Sequence, residues 1–291
     1  MTTVQRLPNL LLIGAMKSGT SSLYADLMRH PAIFFPAHKE PNGYAAIKAG
    51  DAAGTQAFCA LYAGRAERYL GDASTGYTKF PVRPDVAAIV AAQNLPDLRI
   101  LYMTRDPIRR AERHLAHHIG NGETDPVFCD VTRNPEYAAL SAYDMQLSLW
   151  RGAVNADCIL HLTLEDYQRD RAGTLARVFG FLDLAAPDLT GPAPNRNRAA
   201  TRRSAYRSPL RHVLHSRAYN ALREHLPDRL RRRMADLMLP RAKAAEVNFT
   251  PAERAFLTRA ITALNTLDMP DAETVQATFA AVPRDPVDTP S

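Results

Sequence analysis

Lysine is scarce in this chain. Only five of its 36 basic side chains are Lys, so its positive charge rests almost wholly on Arg, whose planar fork suits paired contacts with phosphate or carboxylate. Cysteine is scarcer still: Cys59, Cys129 and Cys158 are an odd number without metal-ligand spacing. They argue against a disulfide framework and predict reduced thiols with packing roles, as in a cytoplasmic protein. Long apolar runs are missing as well. The run Leu10 to Ile13 is far too short for a membrane span and leads into Gly14 instead of a cleavage site, so no membrane partner, export signal or anchor is expected. Internal repeats and low-complexity tracts are absent.

What is present is an ordinary globular composition. With 291 residues and 46% hydrophobic content, the chain can build one large α/β domain, alone or with an appended helical lobe. Its charge is unevenly placed. From Arg196 to Arg241 thirteen Arg face only Glu224, Asp228 and Asp236, so the overall net charge of +6 conceals a strongly basic last third.

Leu10 to Ile13, stopped by Gly14, reads as a central parallel strand buried on both faces. A helix should follow, capped by Ser21 or Ser22, with Leu23, Leu27 and Met28 as its buried stripe and Pro31 as its stop. The alternation then recurs. Strands are predicted at Ile33 to Phe35, Tyr69 to Gly71, Arg99 to Met103 and Cys158 to Leu162. Helices are predicted at Pro84 to Ala92, Pro107 to His118, about Glu136 to Val154, and Gly173 to Leu182. This order implies an α/β fold with a mainly parallel, doubly wound sheet. Beyond Leu182 no strand is expected: a Pro-, Gly- and Asn-rich loop leads into Arg-rich helices. The boundaries read as one domain over 1–291, with a core of about 8–183, a basic loop and helical lobe of about 184–282, and a disordered tail over 283–291 that holds three prolines.

The segment Gly14-Ala15-Met16-Lys17-Ser18-Gly19-Thr20-Ser21-Ser22 joins the first strand to the first helix. Backbone N–H groups at such a junction, together with the helix dipole, form an anion site. A nucleoside-triphosphate loop reads GxxxxGK[ST], with Lys directly after the second Gly and a hydroxyl behind it for magnesium. Here Thr20 holds the Lys position and Lys17 stands two residues before that Gly. The phosphate cradle is kept without the nucleotide-hydrolysing pattern.

Lys39-Glu40-Pro41 follows the second strand, and Arg105-Asp106-Pro107 ends a later one, opening a helix that carries Arg113. With these pieces in order the sequence resembles the sulfotransferases dependent on 3'-phosphoadenosine 5'-phosphosulfate (PAPS), particularly the heparan-sulfate-type and bacterial branch. The likeness runs on through Gly71-Asp72-Ala73-Ser74, Ser141 to Trp150, and Glu165-Asp166-Tyr167. It implies a P-loop-like three-layer fold carrying the C-terminal Arg-rich helical lobe, PAPS as cosubstrate and no required metal. Lys17, Ser18, Gly19, Thr20, Ser21 and Ser22 would hold the 5'-phosphosulfate, and Arg105 the 3'-phosphate. The family Ser eight residues beyond that Arg is Arg113 here, a departure that can still bind the dianionic 3'-phosphate but alters the local geometry. Arg198, Arg202 and Arg203 occupy the place of the family's basic loop, a match of position and charge.

The resemblance also distributes the chemistry. Sulfuryl transfer needs an in-line acceptor and positive groups near the oxygens that gain charge. Lys17 would stabilise the leaving group, although a loop Lys is ordinarily only solvated. Glu40 would take the acceptor's proton, although a lone loop Glu is usually a surface ion pair. Asp72 is a competing base or a loop anchor. His117, four residues after Arg113 on one helix face, would meet the acceptor, with His114 and His118 close by. Trp150 and the stripe from Tyr143 to Leu149 read as packing. The acceptor is expected to be a small molecule or carbohydrate bearing a hydroxyl or amine. Two other functions stand beside this one: a P-loop kinase or nucleotide hydrolase, and a non-catalytic polyanion-binding module. No nucleic acid partner is expected, because no aromatic stacking platform or reading motif accompanies the Arg.

Overall fold

Leu10–Gly14 (β1) is buried along its whole length, which is why its sequence shows no polar alternation. In the computed structural model, which describes residues 6–121, 123, 125–187, 202–203, 241–242 and 246–284, β1 is the middle of a five-stranded sheet. Its companions are Ile33–Phe34 (β2), Tyr69–Asp72 (β3), Arg99–Thr104 (β4) and Ile159–Thr163 (β5), in the order β2-β3-β1-β4-β5, every pair parallel. Parallel neighbours require crossovers, and helices supply them. They are Thr20–Leu27 (α1), Gly43–Lys48 (α2), Ala52–Ala60 (α3), Ala87–Ala92 (α4), Pro107–Gly120 (α5), Pro126–Cys129 (α6), Glu136–Ala139 (α7) and Tyr143–Arg151 (α8), while Leu164–Arg169 (α9) and Arg171–Phe181 (α10) follow β5. Because β3 and β4 flank β1 on opposite sides, the chain reverses its direction of winding there. A crevice therefore opens at the carboxyl ends of these strands.

Successive residues of β1 serve opposite layers. Leu10 and Leu12 pack with Leu23, Leu27, Leu175 and Phe179 on one face, while Leu11 and Ile13 pack with Tyr44, Tyr62, Val90 and Trp150 on the other. That is the period-two rule applied to a strand with two dry faces. A third cluster joins Leu115, Tyr137 and Met145 to Pro251–Asn265 (α11) and Ala272–Ala280 (α12) through Phe256, Leu257 and Phe279. Among the described residues, no helix is long and apolar enough to cross a membrane.

Several local expectations are corrected. The first helix starts at Thr20 with Gly19 as its cap, so Ser21 and Ser22 lie inside its first turn. Its buried face is Leu23, Tyr24 and Leu27, and Met28 is 43% exposed. The helix expected over Glu136 to Val154 is broken into α7 and α8 at Leu140–Ala142. There Ser141 turns inward, accepting from Arg110 Nε at 2.7 Å and donating to Tyr137 O at 2.9 Å. The proline-opened helix at 84 begins only at Ala87. A two-residue antiparallel pair, Arg202–Arg203 (β6) with Arg241–Ala242 (β7), exists beyond Leu182 where no strand is expected. Most of the basic loop and Arg-rich lobe, Arg198 with it, and the tail from 285 lie outside the described residues. Cys59 is buried and Cys129 and Cys158 are partly buried, all three as free thiols.

Candidate active site

The loop after β1 turns by left-handed backbone at Lys17 (φ 69°) and Gly19 (φ 84°). Alternation of this kind curls successive N–H groups toward one point and forms an anion-binding concavity. Ser18 lies between them, fully buried, and its Oγ has no well-formed hydrogen bond among the described residues. The Tyr143 hydroxyl, which interacts with Ser18 and with the backbone of Arg105, is likewise buried without a well-formed partner. An orphaned hydroxyl at the centre of a phosphate-type loop fits a bound oxyanion, since buried polar atoms otherwise find protein partners.

Glu40 is joined to the same loop through Lys39. Its backbone is left-handed (φ 69°) and its N–H donates to Ala73 O at 3.1 Å. Its carboxylate accepts from Thr75 N at 2.8 Å, from Thr75 Oγ1 at 3.1 Å and from Lys39 Nζ at 3.0 Å, while its side chain stays 38% exposed. The Lys39 ammonium also donates to Thr20 Oγ1 at 3.0 Å. It thus joins the start of α1 to Glu40. Its place directly before Glu40 in a Lys-poor chain was the available signal. Of the seven described non-glycine residues with left-handed backbone, Lys17, Glu40 and Asn42 fall in these two loops, and strain of this kind concentrates at functional sites.

Asp72, at the end of β3, is fully buried and accepts from Ser74 Oγ at 2.5 Å and Tyr77 OH at 2.6 Å. Those hydroxyls in turn accept from Asn42 N at 2.9 Å and Tyr44 N at 3.1 Å. Burial pushes the Asp72 carboxyl up to about 7, with Glu40's charge adding to the rise and the two hydroxyl bonds opposing it. Its contacts suit anchoring of the Glu40 loop better than proton abstraction from a ligand.

At the other end of the crevice, Arg105 follows β4 and is partly buried. Burial first, then the charge of Arg113, push Arg105 below its ordinary value, so the two guanidinium groups share one field. Both line a polar cleft with Arg109, Asn248 and Arg254. Sequence reasoning missed Arg109 and Arg254. Arg254 lies 141 residues beyond Arg113 and reaches the cleft through its ion pair with Glu112. Asp106 caps α5 by accepting from Arg109 N at 2.8 Å, and its own N–H donates to Glu165 Oε1 at 3.1 Å.

His117 interacts with Asn121 Nδ2 at 3.2 Å. Burial, the largest cause, pushes the His114 and His118 imidazoles down toward the neutral form, and the charges of Arg110, Lys79 and Lys17 add to the shift. Their Nε2 atoms are 2.7 Å apart, and Glu136 lies 3.4 Å from His114 Nε2. By ligand type His114, His118 and Glu136 could hold a metal. Arg110, which can only donate, contacts His114 Nδ1 at 3.4 Å. That contact sets the hydrogen on Nε2, so the geometry favours a hydrogen-bonded trio over a ligand set.

A second concavity, lined by Val90, Asn94, Leu98, Arg99, Val154 and Cys158, lies at the amino ends of the strands, away from every group above.

No protein-family model matches the chain, and no curated protein does. Among solved structures it is similar to the sulfotransferase of Alicyclobacillus acidocaldarius, at 24% identity over 65% of this chain and 87% of that one, with a TM-score of 0.54. Weaker likenesses reach the sulfotransferase domain of the Synechococcus PCC 7002 olefin synthase (16% identity, 67% and 82% covered, TM-score 0.45). Another is the sulfotransferase domain of the curacin biosynthetic pathway (14% identity, 65% and 80% covered, TM-score 0.43). The chain thus has the P-loop-like α/β fold of a solved sulfotransferase.

Proposed function

We propose that the protein is a PAPS-dependent sulfotransferase acting on a hydroxyl or amine of a small-molecule or carbohydrate acceptor, with no metal required. The observation that carries this reading is Lys39, whose ammonium bonds both Thr20 of the anion loop and Glu40, at 3.0 Å each. A phosphate cradle and a carboxylate are thereby held side by side, as transfer of an anionic group to a deprotonating acceptor needs. The cosubstrate, when bound, supplies the sulfuryl group and a stable bisphosphate leaving group.

Lys17, Ser18, Gly19, Thr20, Ser21 and Ser22 are the residues that would hold its 5' end, and Arg105 and Arg113 its 3'-phosphate. Arg202 and Arg203 remain candidates at the backbone pairing with Arg241 and Ala242, and Arg198 lies outside the described residues. Glu40, oriented by Thr75, would accept the acceptor's proton. Lys17 would offset the charge that develops on the leaving oxygen. His117 remains the acceptor contact proposed from sequence, with His118 and His114 as the pair electrostatically linked to Lys17.

Titration calorimetry with 3',5'-bisphosphoadenosine, AMP and ATP, in the presence of a chelator, tests the reading. The bisphosphate should bind at least about tenfold more tightly than AMP, a difference of about 1.4 kcal/mol. Equal affinity for AMP would remove the 3'-phosphate assignment, and tight magnesium-dependent ATP binding would favour a kinase or hydrolase. Arg105→Ala should weaken the bisphosphate strongly and Arg113→Ser less so. The reverse order would give Arg113 another role.

A further inference from the structure

Arg254 belongs to α11, beyond the basic lobe, yet it lines the same cleft as Arg105, Arg109 and Arg113. That cleft has a volume of about 310 Å³, and the acids on its walls are Glu112 and Glu246. Four guanidinium groups thus stand against two carboxylates. Glu112 is already committed: it is 8% exposed and accepts from the Arg254 guanidinium and, at 3.1 Å, from Phe249 N. Cations gathered in this way repel one another until an anion joins them.

The Arg254 side chain is placed before any ligand arrives. Its Nε donates to Phe249 O at 3.1 Å and its Nη2 to Glu112, so one edge of the fork is taken, while Nη1 has no partner among the described residues. Phe249 is itself buried against Leu115 and Phe256, and Glu253 closes a capping box with Thr250 at the start of α11. A cation pinned from two sides loses little freedom when it meets an anion. On α5, Glu112 and Arg113 lie three and four positions after Arg109, on one helix face. The carboxylate that holds Arg254 therefore stands beside the arginines of the cleft. Docking of α11 on α5 explains the ion pair with Glu112, but it does not explain why three further arginines line the same cleft.

We propose that Arg254 is a specificity-determining residue: a guanidinium supplied by α11 and positioned by Glu112, which contacts the 3'-phosphate of the cosubstrate together with Arg105 and Arg113. This rests on the sulfotransferase reading and makes the C-terminal helices part of the nucleotide site.

Titration calorimetry of the full chain with 3',5'-bisphosphoadenosine and AMP tests it, because the two ligands differ by the 3'-phosphate. Arg254→Met alone would strand the buried Glu112 and destabilise the fold. The comparison is therefore Glu112→Gln against the double variant Glu112→Gln with Arg254→Met, both checked for cooperative urea unfolding. The glutamine still accepts from Phe249 N and leaves no buried charge behind when the guanidinium is removed. The double variant should bind the bisphosphate about tenfold more weakly than Glu112→Gln does, and AMP within about twofold. Glu112→Gln alone should reduce the preference for bisphosphate over AMP about threefold, since a neutral amide holds the guanidinium less firmly. Arg254→Lys, which keeps a charge beside Glu112 but loses the fork, should show the same selective loss on a scale of about threefold. Equal losses for the two ligands would make the pair a purely structural clasp and overturn the proposal. So would an unchanged preference in the double variant and in Arg254→Lys. Should the native chain bind the bisphosphate no more tightly than AMP, the sulfotransferase reading itself would fall. A native preference that survives the loss of Arg254 removes only the present assignment.

Discussion

Lys17 and Glu40 hold their proposed roles on left-handed backbone, a conformation that costs a non-glycine residue about 1–2 kcal/mol. Glu40→Gln preserves shape but cannot take a proton. With an acceptor found by screening sulfur-labelled PAPS, turnover should fall by about 10²–10⁴-fold while affinity for 3',5'-bisphosphoadenosine barely moves. Lys17→Ala should lower both together, because its cation serves the bound and the developing charge. Glu40→Gln retaining most activity would sink the base assignment.

Asp72 makes a different prediction. Its carboxyl is raised to about 7 in the folded protein from an ordinary 3.8, so the native state binds its proton more tightly than the unfolded chain. Stability from this group is fully present below about pH 4 and declines as pH rises to about 7. Asp72→Asn removes that titration. The stability of the native protein minus that of Asp72→Asn, followed by urea unfolding, should therefore shrink by a few kcal/mol between pH 4 and 7 and stay level above. A difference independent of pH would show that Asp72 is ionised throughout.

At the scale of elements, α5 carries Arg109 and Arg113 of the basic cleft and begins two residues after Arg105. Asp106 is its cap, accepting from Arg109 N at 2.8 Å, and Pro107 takes the first helical position, where its missing N–H costs nothing. Asp106→Ala should destabilise the protein by about 1 kcal/mol and Asp106→Asn by clearly less, measured by chemical denaturation. The alanine variant should also weaken the bisphosphate, because the cap aligns the arginines. Unchanged binding would separate helix start from site geometry. The break between α7 and α8 is the complementary case. A continuous apolar pattern there gave no stop signal. The interruption belongs to the fully buried Arg110, which needs Ser141 Oγ and Tyr137 O as acceptors at 2.7 and 2.9 Å.

At the scale of the whole molecule, a buried carboxylate ties α1 to α10, a helix that follows the last strand of the main sheet. Asp26 is fully buried and accepts from Arg171 Nε at 2.9 Å, Arg171 Nη2 at 2.5 Å and Tyr167 OH at 2.5 Å. Removing one partner of such a pair strands the other, at a cost of about 3–5 kcal/mol. Asp26→Ala should show a loss of that size in urea unfolding. The double variant with Arg171→Ala should recover part of it, giving a coupling energy above about 1 kcal/mol. Additive losses would mean that the two act independently.

Much of the architecture was legible because its signals are local. An apolar run closed by Gly14 gives a two-faced strand, a Lys and Gly loop before a helix gives a tight turn with left-handed backbone at Lys17 and Gly19, and Arg-Asp-Pro marks a strand ending in a helix cap. These depend on backbone sterics and on residues a few positions apart. What only the tertiary structure decided are partnerships across crossovers. Arg171 lies 145 residues from Asp26, and Glu112 meets Arg254 across 142. Lys39 bridges Thr20 to Glu40. No spacing rule encodes these, because they follow from β3 and β4 lying on either side of β1. That topology brings three loops, distant in the chain, to the same end of one sheet.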